Sequence, residues 1–546
     1  MNEAENTPTC QGYSRCFLSF LPVDFTREIV NLCYIALPVF LSYLFDYLII
    51  LVSTVFCGHL GKIELDGVTL AIAAISVMGI GIGYGLSAAC DTLISQAYGA
   101  GNFHQVGVIT QRAILILLLA CFPCCAFLIN TESILLVVGQ SPEVARVSQQ
   151  YVNIFLPGLP AAFMFIIEAK YLQNQGIIWP LVITGILANV LNVLINYILL
   201  FVLDMGVPGS AAANTISQYS LAIILLSIRC KDLHKDTWAG WSIDSLQEWG
   251  SFIHLAIPSM LMLCAEWWTY EIGGLLSGLI SEVELGAQSV LYGLANIAYM
   301  FPIGFSVAGS VRVGNAVGAG DVAQAKLSAR LSIICAVSVA VVLATVVGSS
   351  KNVIAYIFTN DKDIRARVAT VMVLYAPFHL LDATAAAGGS IVKGLGKQKM
   401  GAICNLVGYY GVGCPIGISL MFAAKMGIFG LWTGLLISVF LQSVFLIVLL
   451  FKLNWKKVTE EAQIRAGVLP RRTDDGAQED GRHIEDCAVN NATDVDGLLD
   501  DQTDVIVATV RTQLPLRVLV LRRGLALVAM LLLLAAGFTV KFFLNR

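Results

Sequence analysis

Apolar residues run along this chain in unbroken blocks of roughly 20, the length that crosses a bilayer as a helix, and the polar residues fall between them. The blocks lie near 33–56, 68–92, 108–129, 149–168, 178–202 and 208–228. A second series follows near 252–278, 286–311, 331–348, 368–391, 400–422 and 427–451, and an isolated block covers 524–543. This pattern predicts about thirteen helices, each satisfying its own backbone hydrogen bonds as hydrocarbon demands. The fold class is therefore an all-α polytopic membrane protein. Composition agrees: 57% of the 546 residues are hydrophobic and 13% charged, more apolar surface than a soluble globule could hide.

Charge and cysteines narrow the picture further. A net charge of −4 gives no reason to invoke nucleic acid. Most cysteines sit inside spans (Cys33, Cys90, Cys121, Cys124, Cys125, Cys264, Cys335, Cys404 and Cys414), where the thiol acts as a small apolar group rather than half of a disulfide. The first residues lack a basic region followed by an apolar core and a cleavage site, so the first span is expected to act as its own signal. Basic residues follow the even-numbered spans: Arg112, Lys170, Arg229, Arg312, Lys393 and Lys452 with their neighbours. Glu64, Asp66, Glu132, Asp204, Glu282 and Glu284 mark the opposite loops. This bias predicts a cytoplasmic N-terminus and an extracellular C-terminus.

Two halves of the chain repeat one another. "SAACDTLISQAYGAGNFHQ" from Ser87 aligns without a gap on "SVAGSVRVGNAVGAGDVAQ" from Ser306. Pro38, Pro157 and Gly176 pair with Pro258, Pro377 and Gly396 at a spacing that stays near 220. Six spans per copy is an even number, so both copies enter the membrane from one side as a parallel repeat, two six-helix lobes that rock about a central cavity. The expected division is an N-terminal segment 1–27, an N-lobe 28–229, a linker 230–247, a C-lobe 248–453, a disordered acidic cytoplasmic tail 454–522 and a thirteenth transmembrane helix 523–546. Asn491 in the tail matches a glycosylation acceptor but, on the cytoplasmic side, is expected to stay unmodified. "GAGN" and "GAGD" read as tight turns rather than phosphate loops, because no strand precedes them and no GK[ST] follows.

The candidate chemistry lies where the apolar pattern breaks. "LMLCAEWWTYEIGGLL" (261–276) carries Glu266 and Glu271, and the repeat partner of Glu266 is Asp46, each eight residues after a matched proline. Asp382 is a third intramembrane acid, and Glu168, close to Lys170 near a helix end, is read as snorkelling. A carboxylate in hydrocarbon costs about 2.5 kcal/mol or more, so such groups face a cavity or a partner. At 100° per residue Glu266 and Tyr270 share a face, whereas Glu271 stacks near Trp267 on another. Glu266 with Tyr270 is therefore expected to line the central cavity, and Trp267 with Glu271 its edge or a neighbouring helix contact. Desolvation raises the pKa of a buried carboxyl, and aromatic faces attract organic cations. If a proton and a cation compete for one carboxylate, neither leaves until the other arrives, and exchange follows. The scattered histidines show no metal-ligand spacing, and no cofactor is expected.

The stretches "STVFCGHLGKIELDGVTLA", "GLSAACDTLISQAYGAGN", "IPSMLMLCAEWWTYE", "SVRVGNAVGAGD" and "LNWKK" resemble the vertebrate branch of the multidrug and toxin extrusion (MATE) family over about residues 23–457. The resemblance implies a twelve-helix core in two lobes plus a thirteenth helix. It also implies electroneutral exchange of a proton for an organic cation, typically in excretory epithelia, apical at the plasma membrane. It assigns the essential helix-seven acid to Glu266, its partner to Glu271 and the helix-ten acid to Asp382, where relatives carry Glu. A helix-eight Tyr-Glu pair of the family is here Tyr292-Gly293, one carboxylate fewer, which Asp46 is a candidate to replace from the other lobe, and a helix-two Asn is here Ser76.

The resulting expectation is a secondary antiporter, not an enzyme, exporting small organic cations against protons across the lipid bilayer. Glu266, Glu271, Asp382 and Asp46 are the proton- and cation-binding candidates, and Trp267, Tyr270, Tyr292 and Tyr299 shape the pocket. Sodium coupling and a lipid flippase or scramblase remain the alternatives. A seven-helix receptor has no reason to show this duplication, a channel built from one chain would need a ring of pore-lining polar groups that the sequence does not offer, and no HExxH or nucleophile motif points to catalysis.

Overall fold

In a computed structural model, residues 23–230, 236–469 and 515–544 are described. The chain is all-helical there, and its long apolar helices follow the expected order. The N-lobe comprises α1 (Val23–Gly58), α2 (Ile63–Gly99), α3 (Phe103–Leu128), α4, α5 (Trp179–Val202) and α6 (Val207–Cys230). Of these, α4 is a bent pair, Pro142–Phe155 and Gly158–Asn174. The C-lobe comprises α7 (Trp249–Gly278), α8 (Glu282–Gly318), α9 (Val322–Ser349), α10 (Lys362–Gly394), α11 (Gln398–Ala423) and α12 (Ile428–Lys452). A short helix, Trp455–Arg465, follows, and α13 (Leu516–Leu544) ends the description. We call the face where α1 begins the near face and the opposite one the far face.

Turn chemistry repeats with the sequence. Gly101 and Gly320 take φ of 75° and 82°, and Gly176 and Gly396 take 77° and 75°, left-handed values that a side chain resists. Asn102 and Asp321 then cap the next helices by accepting from the amides of Gln105 and Gln324. These are the tight turns read from "GAGN" and "GAGD". One matched pair behaves differently. Pro157, followed by Gly158, sits at the 61° break in α4, whereas its partner Pro377, followed by Phe378, lies inside the continuous α10. Proline deletes one backbone hydrogen bond in each case, and the adjacent glycine lets the chain turn only in α4.

The lobes meet about a pseudo-twofold axis. A Cβ on Gly99 would lie 2.0 Å from the Asn315 carbonyl oxygen, and one on Gly318 would lie 2.2 Å from that of Gln96. Gly99 and Gly318 are repeat partners, as are Gln96 and Asn315, so each helix end packs on the other's equivalent. Farther along, Gly304 of α8 abuts Ala36 of α1, Gly85 of α2 abuts Met260 of α7, and Phe40 stacks on Phe301 at 4.2 Å. Toward the far face each helix turns to its own lobe. Ser53 of α1 bonds Asn214 of α6, and Gln288 of α8 accepts from Trp432 of α12. The molecule is thus closed at the near face and divergent toward the far one.

The structure corrects several expectations. Arg112, Lys170, Arg312 and Lys393 are not loop residues but belong to helices that run past the minimum bilayer-spanning length. Glu168, read as snorkelling, is instead buried, and Lys170 beside it is 7% exposed with its Nζ 2.9 Å from Asp91 Oδ2 and Asn174 donating to Oδ1 at 3.2 Å. Glu168 is 2% exposed, because the second half of α4 is packed on most sides. Arg312 crosses between lobes to Glu28, whose carboxylate also accepts from Gln324 and Ser328. The segment 454–522 expected as a tail begins as the Trp455–Arg465 helix and ends inside α13, which starts at Leu516 rather than 523. Its first turns are held by burial of Val458 and Ala462 against the C-lobe, a tertiary contact that its polar composition does not announce. Asn491 lies outside the described residues.

The buried Asp91–Lys170 pair carries a prediction. Lys170→Met leaves a carboxylate buried without its counter-charge and is expected to cost about 3–5 kcal/mol. The melting temperature of the purified protein should fall accordingly, and adding Asp91→Leu should restore most of the loss. Equal melting of the single and double variants would contradict it.

Candidate functional site

Helices α7 and α8 run antiparallel, so positions later on one face positions earlier on the other. Glu266 therefore meets Tyr299, and Glu271, one and a half turns on, meets Tyr292. Each tyrosine hydroxyl donates to its carboxylate at 3.5 Å, at the outer edge of hydrogen-bond reach. Tyr292 and Tyr299 are seven residues apart, two turns of one helix face. Tyr270, a turn after Glu266, stacks on Tyr292 with ring centroids 5.5 Å apart. The result is a wall of alternating carboxylates and phenol rings on the C-lobe.

Asp382 reaches the same place from α10. It is 7% exposed, and its charge and that of Glu266 act on one another and on the hydroxyls of Tyr270, Tyr299 and Tyr409. Glu266 itself keeps partial solvent access, as do Glu271, Tyr270, Tyr292 and Tyr299. Two acids at electrostatic range of each other, ringed by hydroxyls and aromatic faces, can share one proton or neutralise one cation. Tyr409 did not emerge from the sequence. Its signal is the glycine-flanked "GYYG" of α11, which forms a π-helical stretch, Leu406–Gly413, of the kind that re-aims side chains at functional sites.

The remaining candidates separate. Trp267 lies at the lobe junction, its ring 3.3 Å from where a Cβ on Gly81 would stand and 6.2 Å from the Tyr84 centroid. Trp268, 40% exposed, donates to the Val77 carbonyl of α2 at 3.3 Å. Asp46 lies inside the N-lobe, in a cavity of about 20 Å³ lined also by Ser42, Tyr43, Tyr84, Lys170 and Gln173, large enough for a water. It does not join the Glu266 wall directly. Gly293, beside Tyr292, has open space: a Cβ there would meet only Phe358, at 3.6 Å.

Comparison with known proteins bears on this arrangement. The MatE family profile matches residues 38–198 and again 258–418, the two halves of the repeat. The chain is 58% identical over 555 residues to multidrug and toxin extrusion protein 1 of Danio rerio, covering 98% of this chain and 94% of that protein. It is 49% identical to multidrug and toxin extrusion protein 1 of Homo sapiens, covering 95% and 94%. Among solved structures, the eukaryotic MATE transporter AtDTX14 superposes with a TM-score of 0.78 at 29% identity, over 81% of this chain and 99% of that one. With a family profile on both lobes, close relatives along nearly the whole length and a shared three-dimensional fold, the chain belongs to the MATE family of multidrug efflux transporters.

Proposed function

We propose that this transporter exports organic cations in exchange for protons, with Glu266 as the group on which the two alternate. The observation that carries this reading is the wall formed by Glu266, Asp382, Tyr270 and Tyr299, in which Glu266, Tyr270 and Tyr299 stay partly exposed and the rings are aromatic enough to hold a cation's apolar body. The relatives named for multidrug and toxin extrusion support the substrate class. Asp382 and Glu271 tune the charge at Glu266. Asp46 is a second titratable station, in the N-lobe cavity. The lobes part at the far face here, and we read that opening as extracellular, in the plasma membrane, an orientation that the basic residues after the even-numbered spans support. Protons arriving from outside would then displace the cation, and closing the far face would carry the proton inward.

Proteoliposomes loaded with acidic buffer test the coupling. An imposed proton gradient is expected to drive uptake of tetraethylammonium, whereas a sodium gradient at clamped pH is not. Sodium-driven uptake with no proton response would replace this reading by sodium coupling, for which the Glu266 and Asp382 carboxylates also supply oxygen donors.

A further inference from the structure

The Trp455–Arg465 helix belongs to the C-lobe by its packing. Val458 and Ala462 are buried in one apolar cluster with Val313, Val317, Ile391 and Leu395. Glu461 pairs with Lys397 at 2.6 Å, and Arg465 Nη2 donates to the Leu395 carbonyl at 3.1 Å. Its last turn nevertheless crosses to the other lobe. Arg465 Nε donates to Gln96 Oε1 at 3.0 Å, and Asn102 Nδ2 donates to the Ala466 carbonyl at 2.9 Å. Gln96 and Asn102 flank the Gly99–Gly101 turn, the part of α2 that packs on Asn315 at the pseudo-twofold axis.

The segment that follows α6, the equivalent place in the first half, is bonded to its own lobe at Thr237, Gly240 and Ser242. Thr237 bonds Tyr171 and Gln175, Gly240 accepts from Gln111, and the Ser242 amide donates to Gln111, all within the N-lobe. The crossing helix is fixed on the C-lobe and fastened where the lobes touch.

We propose that Arg465 is a positioning residue of the transport cycle. With the Ala466 carbonyl it straps the C-lobe to the Gln96–Asn102 end of α2, holds the near face shut, and must let go before the lobes part there. The two bonds that cross are individually modest and Arg465 is partly exposed, so the strap biases an equilibrium rather than locking it. The proposal rests on the rocking-lobe reading, and its test uses no substrate, so failure of the strap and failure of proton–cation exchange are separable.

The experiment is hydrogen–deuterium exchange on the purified full-length protein, followed in peptides covering 92–102 and 28–36. Arg465→Ala removes the bond to Gln96. Asn102→Asp keeps the acceptor that caps α3 but loses the amide that donates to Ala466. Both variants are expected to exchange about tenfold faster in both windows, the population shift that one or two lost hydrogen bonds produce. The 28–36 window of α1 is the deciding one: it meets the C-lobe at the near face through Glu28 with Arg312 and Ala36 with Gly304 but lies outside the cluster that buries the short helix, so a merely local loosening leaves it unchanged. Wild-type exchange at 28–36 in the folded variants overturns the proposal. If Arg465→Ala does not fold, Asn102→Asp decides by the same criterion.

Discussion

Glu266→Gln is expected to bring proton-gradient-driven uptake of tetraethylammonium down to background while the protein still folds and reaches the membrane. Glutamine has nearly the shape of glutamate and can still accept from Tyr299, so the wall of α7 and α8 keeps its packing. It loses both properties that exchange requires, a titratable proton and a negative charge. A full charge about 4 Å from a cation, at an effective dielectric of about 20, is worth about 4 kcal/mol, or about three orders of magnitude in binding. Glu271→Gln should cost less, about tenfold, because Glu271 faces Tyr292 away from Asp382 and loses one charge-assisted hydrogen bond rather than the charge at the centre of the wall. Uptake by Glu266→Gln at the rate of the unaltered protein would remove Glu266 from the mechanism.

Gly99→Val is expected to abolish transport by a different route. The added Cβ would stand 2.0 Å from the Asn315 carbonyl oxygen and 2.6 Å from its carbonyl carbon and Cα, all backbone atoms that no rotamer change can move. Real contacts of this kind are no shorter than 3.0 Å, so the ends of α2 and α8 must separate. Each lobe has its own apolar core, built around residues such as Phe163 and Tyr171 in one and Trp432 and Tyr375 in the other, and both should survive the separation. The near face then stays open, the far-open state is depopulated, and transport in vesicles should fall more than about tenfold while the melting temperature changes by a few degrees. Gly318→Val, the repeat partner facing Gln96, should behave alike. Full activity in either variant would mean that the lobes are not in contact there during the cycle.

Much of the fold was legible because hydrocarbon leaves the chain few choices. A run of about 20 apolar residues must close its hydrogen bonds within itself, so spans, their number and the parallel duplication could be read directly. Repeated glycines after helix ends and repeated Asn and Asp caps specified the turns locally, by backbone conformation and side-chain reach alone. The intramembrane acids Glu266, Glu271, Asp382 and Asp46 stood out for the same reason: charge is costly in lipid.

Position relative to other helices was another matter. Lys170 and Arg312 read as loop charges until Asp91 and Glu28, 79 and 284 residues away, appeared beside them. Tyr409 had no charge or spacing to distinguish it, and the helix at Trp455 had too little apolar surface to be recognised without the C-lobe cluster that buries it. The sequence by itself determined what must be helical, how many times the unit recurs and which side chains are costly to bury, because those are properties of each segment against water or lipid. Only the tertiary structure decided which acid faces which tyrosine, that Asp46 sits apart in its own lobe, and that one short helix of the C-lobe also bonds the N-lobe, because contact between distant segments depends on packing geometry that no single segment contains.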